Sequence, residues 1–238
     1  MSKMEVCSAA SGHMLAVVDE DAVKDKTAKS VKQALAPKLG VSRFRQKFFV
    51  EDFSREIEDE EVFNAVPTRI QLVKLDFLSP DIQQEKQLLL ASKSGDSETV
   101  ERLLQKLQNP NCADEGGKMP LHHAARGGHI EAIRLLLDAG AEKDGQDETA
   151  DGMTPLLLSS SLGRVEAVRI LLESHIDQNR STTIDGKTPL FMAVQRGHLE
   201  VVHLLLASRA DTLKANSDGK TPMDVACSTC LGAFALAE

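Results

Sequence analysis

The stretch IDGKTPLFMAVQRGHLEVVHLLLASRAD, residues 184–211, decides the fold of this protein. It contains the triplet Gly186-Lys187-Thr188, which also closes phosphate-binding loops. Such a loop needs another glycine five residues before its Gly-Lys pair, because successive backbone N–H groups wrap the phosphates. Position 181 is a serine, and a second Gly-Lys-Thr triplet at Gly219 lacks that glycine as well. The two triplets therefore indicate a repeated structural unit and argue against a nucleotide site.

A short proline motif recurs along the chain, with steps of 35, 34 and 33 residues between its prolines. Its copies are Lys118-Met119-Pro120-Leu121, Met153-Thr154-Pro155-Leu156, Lys187-Thr188-Pro189-Leu190 and Lys220-Thr221-Pro222-Met223. One further step of 33 residues back reaches Gln87-Leu88, where the proline is missing although Gly95 keeps its place. The period predicts five units, of which the first and last are atypical: 81–113, 114–148, 149–182, 183–215 and 216–238.

The sequence of each complete unit predicts a pair of helices. In the fourth unit Thr188 can cap the first helix, Pro189 suits its first turn, and Gly197 ends it. The second helix carries apolar residues at helical spacing: Leu199, Val202, Leu205 and Leu206. Such a pair cannot close a core alone, so neighbouring units must stack.

The unit also has a recognisable sequence frame. It reads Met-Pro-Leu-His-His-Ala-Ala at 119–125, Gly128-His129, and Leu-Leu-Leu-Asp-Ala-Gly-Ala at 135–141, and it recurs twice more. Residues 83–238 thereby resemble the ankyrin repeat. The resemblance implies an all-α solenoid of helix-turn-helix units with projecting hairpin turns, which binds proteins and seldom catalyses reactions.

Two residues depart from this frame. His175 and Arg209 stand where Gly140 follows the second helix of unit two. If the left-handed cap is kept, a residue with a Cβ is strained there, and units three and four are expected to be looser.

Residues 1–80 follow another pattern. It predicts two strands, one helix and two strands: Met4–Ser8, Met14–Val18, Thr27–Gly40, Gln46–Val50 and Arg69–Phe77. The lengths from Thr27 to Val50 resemble a ubiquitin-like β-grasp domain, an α+β fold. That family's exposed apolar patch would fall on Phe49 and Val73, although packing of an ordinary sheet explains both residues equally well. Asp81 is a candidate helix cap at the junction, so the predicted domains are 1–80 and 81–238.

The composition narrows the function classes. The net charge of −8 argues against nucleic-acid binding, and no apolar stretch has the length of a membrane span. The N-terminus lacks the pattern of a secretion signal, and four scattered cysteines suit a reducing compartment. We expect an intracellular monomer, in the cytoplasm or also in the nucleus.

Candidate chemistry is sparse. Cys227 and Cys230 have the spacing of a zinc or redox pair, but a zinc site needs two further ligands. The repeat register predicts that the pair packs at the end of the fifth unit's first helix. The ankyrin resemblance implies that His122, His129 and His198 hydrogen-bond neighbouring turns. The sequence therefore predicts no catalytic residue, no metal site and no cofactor, and hence no enzyme.

Two rows of side chains are the candidate binding surface, because in ankyrin proteins they line the concave face. The turn row is Lys118, Met153, Lys187 and Lys220, and the helix-end row includes Arg126, Leu162, Gln195 and Arg196. The mixture of basic and apolar residues predicts an acidic or phosphorylated partner segment with an apolar residue near its middle. The alternative is a solvated repeat surface without a specific ligand.

Two function classes remain. The first is a protein-interaction scaffold that uses the ankyrin surface alone. The second is a ubiquitin-pathway adaptor, in which Phe49 and Val73 dock a second partner.

Overall fold

The computed structural model describes residues 3–8, 14–19, 27–39, 43–49, 56–57, 69–74, 81–106, 108–148 and 151–235. These residues form two compact units, one of five strands with a helix and one of nine helices. No helix among them is long and apolar enough to cross a membrane. The residue bounds of the domains and repeats given above stay predictions.

The first unit is a mixed sheet with one helix. Its elements are β1 (Lys3–Ser8), β2 (Met14–Asp19), α1 (Ala28–Leu39), β3 (Gln46–Phe49), β4 (Glu56–Ile57) and β5 (Arg69–Lys74). The strand order is β2-β1-β5-β3-β4, with β1 and β5 parallel and the other neighbours antiparallel. The predicted order of two strands, helix and two strands is present. β4 is absent from the prediction because two residues carry no periodicity.

One face of this sheet packs against α1. Val31 and Leu35 lie one turn apart on the helix, and both are buried. They belong to one apolar cluster with Val6, Phe48 and Leu72 from three strands. Phe48 pairs with Leu72 across β3 and β5, so the register places both in the core.

The second unit is a stack of helix pairs. Its helices are α2 (Ile82–Ser94), α3 (Ser97–Gln105), α4 (Pro120–Gly127), α5 (Ile130–Asp138), α6 (Pro155–Ser161), α7 (Val165–Glu173), α8 (Pro189–Arg196), α9 (Leu199–Ala207) and α10 (Ser228–Ala235). The first helices of units one to four, α2, α4, α6 and α8, pack on one another in order. The leucine at the same place in each of them is fully buried: Leu88, Leu121, Leu156 and Leu190. Stacking of successive pairs confirms the predicted repeat architecture.

The helix starts follow the predicted capping. Thr188 Oγ1 accepts a hydrogen bond from Phe191 N–H at 3.1 Å, and Thr154 caps α6 in the same way. Asp81 accepts from two N–H groups at the start of α2. In each case a side-chain oxygen satisfies backbone donors that the helix leaves without a partner.

The strained caps of units three and four are also confirmed. His175 and Arg209 have φ of 59° and 62°, beside 85° at Gly140. The backbone therefore keeps the left-handed turn that glycine favours, and the two Cβ atoms remain in an unfavourable position.

The fifth unit departs from the predicted register. A first helix ending near residue 228 is wrong, because Pro222 is followed only by a 3-10 turn at Met223–Val225, and α10 then begins at Ser228. Asp224 Oδ2 accepts hydrogen bonds from both the N–H and the hydroxyl of Thr221, each at 2.7 Å. With the bond from Asp224 N–H to Thr221 Oγ1 at 3.3 Å they form a capping box, which marks a helix start but is followed here by a single 3-10 turn. Asp224 is exposed and stands where the other units have a buried residue, so this turn lacks the buried side chain that anchors their first helices.

Candidate functional site

The projecting turns share one hydrogen-bond pattern that positions the turn row. The side chain of Asp114 accepts from Lys118 N–H at 2.9 Å, and Thr182 accepts from Lys187 N–H at the same distance. The other two turns use Asp147 with Met153 and Asn216 with Lys220, again at 2.9 Å. Each turn-row residue therefore lies at an equivalent point of its unit.

Neighbouring turns are also bonded to one another. Glu148 N–H donates to Gly116 O at 3.1 Å, Thr183 N–H to Asp151 O at 3.0 Å, and Ser217 N–H to Asp185 O at 2.8 Å. One backbone bond thus joins each pair of successive turns from unit two to unit five. The turns form a continuous edge, which holds the turn row in register.

Two lysines of the turn row are ion-paired. Lys118 Nζ lies 3.2 Å from the buried carboxylate of Asp147, which belongs to the next turn. Lys187 Nζ lies 2.8 Å from Asp185 within its own turn. Lys220 is exposed, and Met153 is half-buried. The charge that the turn row offers to a partner is therefore smaller than its lysines suggest.

The ends of the first helices carry the more available charge. Arg126 and Arg196 are exposed in the last turns of α4 and α8, beside exposed Gln195. Between these helices, Leu162 closes α6 and is 38% exposed. Helix-end positions that the sequence predicts as a partner surface are thus open to solvent.

The structure adds Arg164 and Lys93 to this surface. Arg164 Nε donates to Arg126 O at 3.3 Å, which lays its side chain along the end of α4. Lys93 holds in α2 the place of Arg126 in α4 and is exposed. We call Lys93, Arg126, Arg164 and Arg196 the basic helix-end row. Among the described residues, none of these four side chains forms an ion pair.

The sequence contains a signal for Arg164 that the prediction missed. Arg164 stands where His129 and His198 stand in the neighbouring units, directly after the glycine. His129 Nε2 bonds to Lys93 O and His198 Nε2 bonds to Ser161 O, each at 3.1 Å. All three side chains reach back to the preceding helix end, so an arginine at this position brings a charge there.

A comparison with known families accounts for the repeated geometry. The chain matches the family model "Ankyrin repeats (3 copies)" over residues 88–182 and 174–237. The chain belongs to the ankyrin-repeat family.

Three curated ankyrin relatives show how much of each protein the match covers. Human "Ankyrin repeat and SOCS box protein 3" is 35% identical over 94 residues, which is 39% of this chain and 18% of that protein. Human "Ankyrin repeat domain-containing protein 39" is 38% identical over 62 residues, or 26% of this chain and 34% of that protein. Mouse "2-5A-dependent ribonuclease" is 33% identical over 79 residues, or 33% and 10%. The chain thus spans at most about a third of each of these relatives.

The ankyrin histidine of unit two is a structural residue. His122 Nδ1 accepts from Met119 N–H at 3.2 Å, so Nε2 carries the proton and donates to the carbonyls of Gly145 and Met153, each at 3.0 Å. Burial lowers the pKa of His122, which opposes the rise that its carbonyl partners cause. The bonds of His122, His129 and His198 to neighbouring units confirm the role that the resemblance implies.

A cavity of about 450 Å³ opens beside the first ankyrin helix. Ile82, Lys86 and Leu89 of α2 line one side, and residues 113–118 of the next turn line the other. Ile82 is 69% exposed. Its volume lies within the range of about 300–1,000 Å³ that ligand pockets have. Among the described residues, no three His, Cys, Asp or Glu side chains are grouped as a metal site.

The predicted patch of the first unit is described only by its backbone. Phe49 pairs with Gln71, and Val73 pairs with Lys47, on either side of the buried Phe48–Leu72 pair. The side chains of Phe49 and Val73 lie outside the described residues, so the patch stays a prediction.

Proposed function

We propose that this protein is a non-enzymatic scaffold whose ankyrin units bind an acidic segment of a partner protein. Ankyrin repeats generally mediate protein–protein interactions, and the chain matches that family over most of its second unit. The observation that carries the specific proposal is the basic helix-end row, with exposed Leu162 between its arginines. The partner site comprises this row, Gln195 and the turn-row residues Lys118, Met153, Lys187 and Lys220.

Electrostatics favours an acidic ligand at this surface. The chain has a net charge of −8, so a run of unpaired basic side chains is a local departure from its overall field. Opposite charge on a partner segment would speed its encounter and select its orientation. The exposed side chain of Leu162 supplies apolar area that holds the bound segment after the encounter.

The proposal of a non-enzymatic role rests on the hydrogen bonds of the histidines, which are the candidate catalytic bases. His122, His129 and His198 bond to backbone carbonyls of neighbouring units, and their replacement would disturb the stack. The ribonuclease among the relatives shares with this chain only 10% of its length. We therefore assign the shared segment to binding.

A charge-reversal experiment tests the ankyrin surface. Arg126→Glu with Arg196→Glu is compared with Arg134→Glu and Arg169→Glu, which make the same charge change on exposed positions of α5 and α7. After circular dichroism confirms equal folding, partners are captured from source cells and their affinities measured. We expect the first pair to weaken an ankyrin-bound partner at least about tenfold, or about 1.4 kcal/mol. Equal affinity of both double variants would refute the proposed surface.

We propose as a second candidate that the first unit is a ubiquitin-like β-grasp domain that docks another partner. The sheet order β2-β1-β5-β3-β4 and the single helix packed on one face support this assignment. Phe49→Ser with Val73→Ser is compared with Leu15→Ser, which changes an exposed leucine on β2. Loss of one partner from the first variant alone, at equal thermal stability, favours the adaptor. Retention of every partner leaves the scaffold as the better account.

A further inference from the structure

Two cysteines stand at the start of α10, where the fifth unit leaves the repeat register. The Cys227 carbonyl accepts Leu231 N–H at 3.0 Å, so Cys227 is the N-cap residue and Cys230 is the third residue of the helix. Ala226 before them is extended. Cys227 is exposed, whereas Cys230 is fully buried. The pair thus has one accessible thiol and one enclosed thiol.

The positions of the two residues suit a disulfide. The N-cap residue and the third helical residue are close enough for each side chain to reach the other's backbone N–H, as the reciprocal bonds of a capping box show. Residues three apart on a regular helix have Cβ atoms about 5–6 Å apart, and a disulfide requires about 3.5–4.5 Å. Because Cys227 precedes the first residue of α10, rotation about its own bonds can close this gap while α10 stays helical.

We propose that Cys227 and Cys230 form a redox-active dithiol, which a low-molecular-weight disulfide converts into an intramolecular disulfide. Both residues are thiols in this structure. Cys227 loses its proton to water and attacks one sulfur of the reagent, and one thiolate leaves. Cys230 then loses its proton and attacks the Cys227 sulfur, which expels the second thiolate. Two protein thiols are oxidised and one reagent disulfide is reduced to two thiols.

The surroundings assign a distinct role to each sulfur. Cys227 is reached from solvent, so the reagent meets its sulfur first. Cys230 is shielded from the reagent and reacts only with the neighbouring mixed disulfide. Cys112 provides a contrast, because burial raises the pKa of its thiol to about 12 and its Sγ lies 3.9 Å from Glu85 O.

The test exposes the full chain to oxidised glutathione, alkylates the remaining thiols and maps every cysteine by mass spectrometry. The wild type, Cys227→Ser and Cys230→Ser are compared, and Cys112 serves as an internal unreactive control. In the wild type we expect a 227–230 disulfide, seen as the loss of two hydrogens from one peptide. Cys230→Ser should accumulate glutathione on Cys227, and Cys227→Ser should keep Cys230 as a thiol.

Two results would overturn the proposal. One is a wild type that accumulates the mixed disulfide as fully as Cys230→Ser, because Cys230 then fails to close the ring. The other is a wild type that keeps both thiols although oxidised glutathione is still in excess. Cys230→Ala should accumulate the same mixed disulfide on Cys227, and its apolar side chain serves as a second test in case serine disturbs the buried site. The inference does not depend on the proposed partner surface.

Discussion

Units two and three share one sequence frame but differ in backbone strain and in buried polar groups without hydrogen bonds. Gly140 follows helix α5, whereas His175 follows α7 in the same left-handed conformation. Helix α4 packs Ala124 and Ala125 where α6 packs serines, and the buried hydroxyl of Ser160 has no hydrogen-bond partner. The comparison shows that stacking of buried leucines sets the fold, while local strain and unsatisfied groups set how stable each unit is.

The ring of His122 bonds to three backbone groups in and next to unit two, and replacing that side chain should have the largest effect on stability. His122→Leu places in unit two the residue that unit three has at Leu157. The change leaves the buried carbonyl of Gly145 without its donor, so we expect a loss of about 2–4 kcal/mol in the free energy of unfolding. Urea denaturation measures it. His203→Leu, at an exposed position of α9, should change stability by less than about 0.5 kcal/mol. Equal effects of both variants would contradict the role of His122.

The caps can be exchanged between the two units. His175→Gly removes the strained Cβ and should raise the free energy of unfolding by about 1 kcal/mol. Gly140→His should lower it by a similar amount. Thermal unfolding of both variants measures the two shifts, and shifts of the same sign would contradict an effect of backbone strain.

The buried serines of α6 offer a finer comparison. Ser160→Ala removes a hydroxyl without a partner and should stabilise the protein by about 0.5–1 kcal/mol. Ser159→Ala removes a hydroxyl that donates to Leu156 O at 3.1 Å, so it should be neutral or destabilising. Denaturant unfolding of the two variants checks the sign. A stabilising Ser159→Ala as large as Ser160→Ala would show that both gains come from helix propensity.

The smallest expected change in stability near neutral pH comes from the titration of His122. The pKa of His122 is lowered from its usual 6.5, so the unfolded chain binds more protons just below that pH. Its contribution to stability is therefore complete above about pH 7 and falls as the pH drops below 6.5. Unfolding curves from pH 7.5 to 5 should show a steeper loss for the wild type than for His122→Leu. Parallel losses would exclude this histidine as the cause.

Residues with a local role are the ones that sequence predicted well. Thr188 and Pro189 act within their own helix. The strain at His175 was predictable because the units, when aligned, show a glycine at that position in unit two and none in unit three. The fifth unit was not predictable in this way, since its proline motif is intact and Thr221 and Asp224 even form the bonds of a capping box, yet only one 3-10 turn follows Pro222. A period locates a unit but does not set the length of its helices.

The candidate surface shows the same limit. Exposure of Arg126, Leu162 and Arg196 follows from their place in the repeat. The ion pair of Lys118 with Asp147 joins two turns and leaves the lysine with less free charge than its place in the repeat suggests. The period gives the position of each residue but not which side chains of neighbouring turns meet.

The basic helix-end row has one positive residue in each of units one to four, and bonds between turns hold units two to four in register. Neighbouring packed helices are about 8–10 Å apart, and an extended peptide advances about 3.3 Å per residue. A peptide lying across the units therefore advances about three residues from one helix end to the next, and it meets one cation at α2, two at α4, the apolar Leu162 at α6 and one cation at α8. The spacing of the helix ends therefore selects ligands by the spacing of their acidic residues as much as by their number.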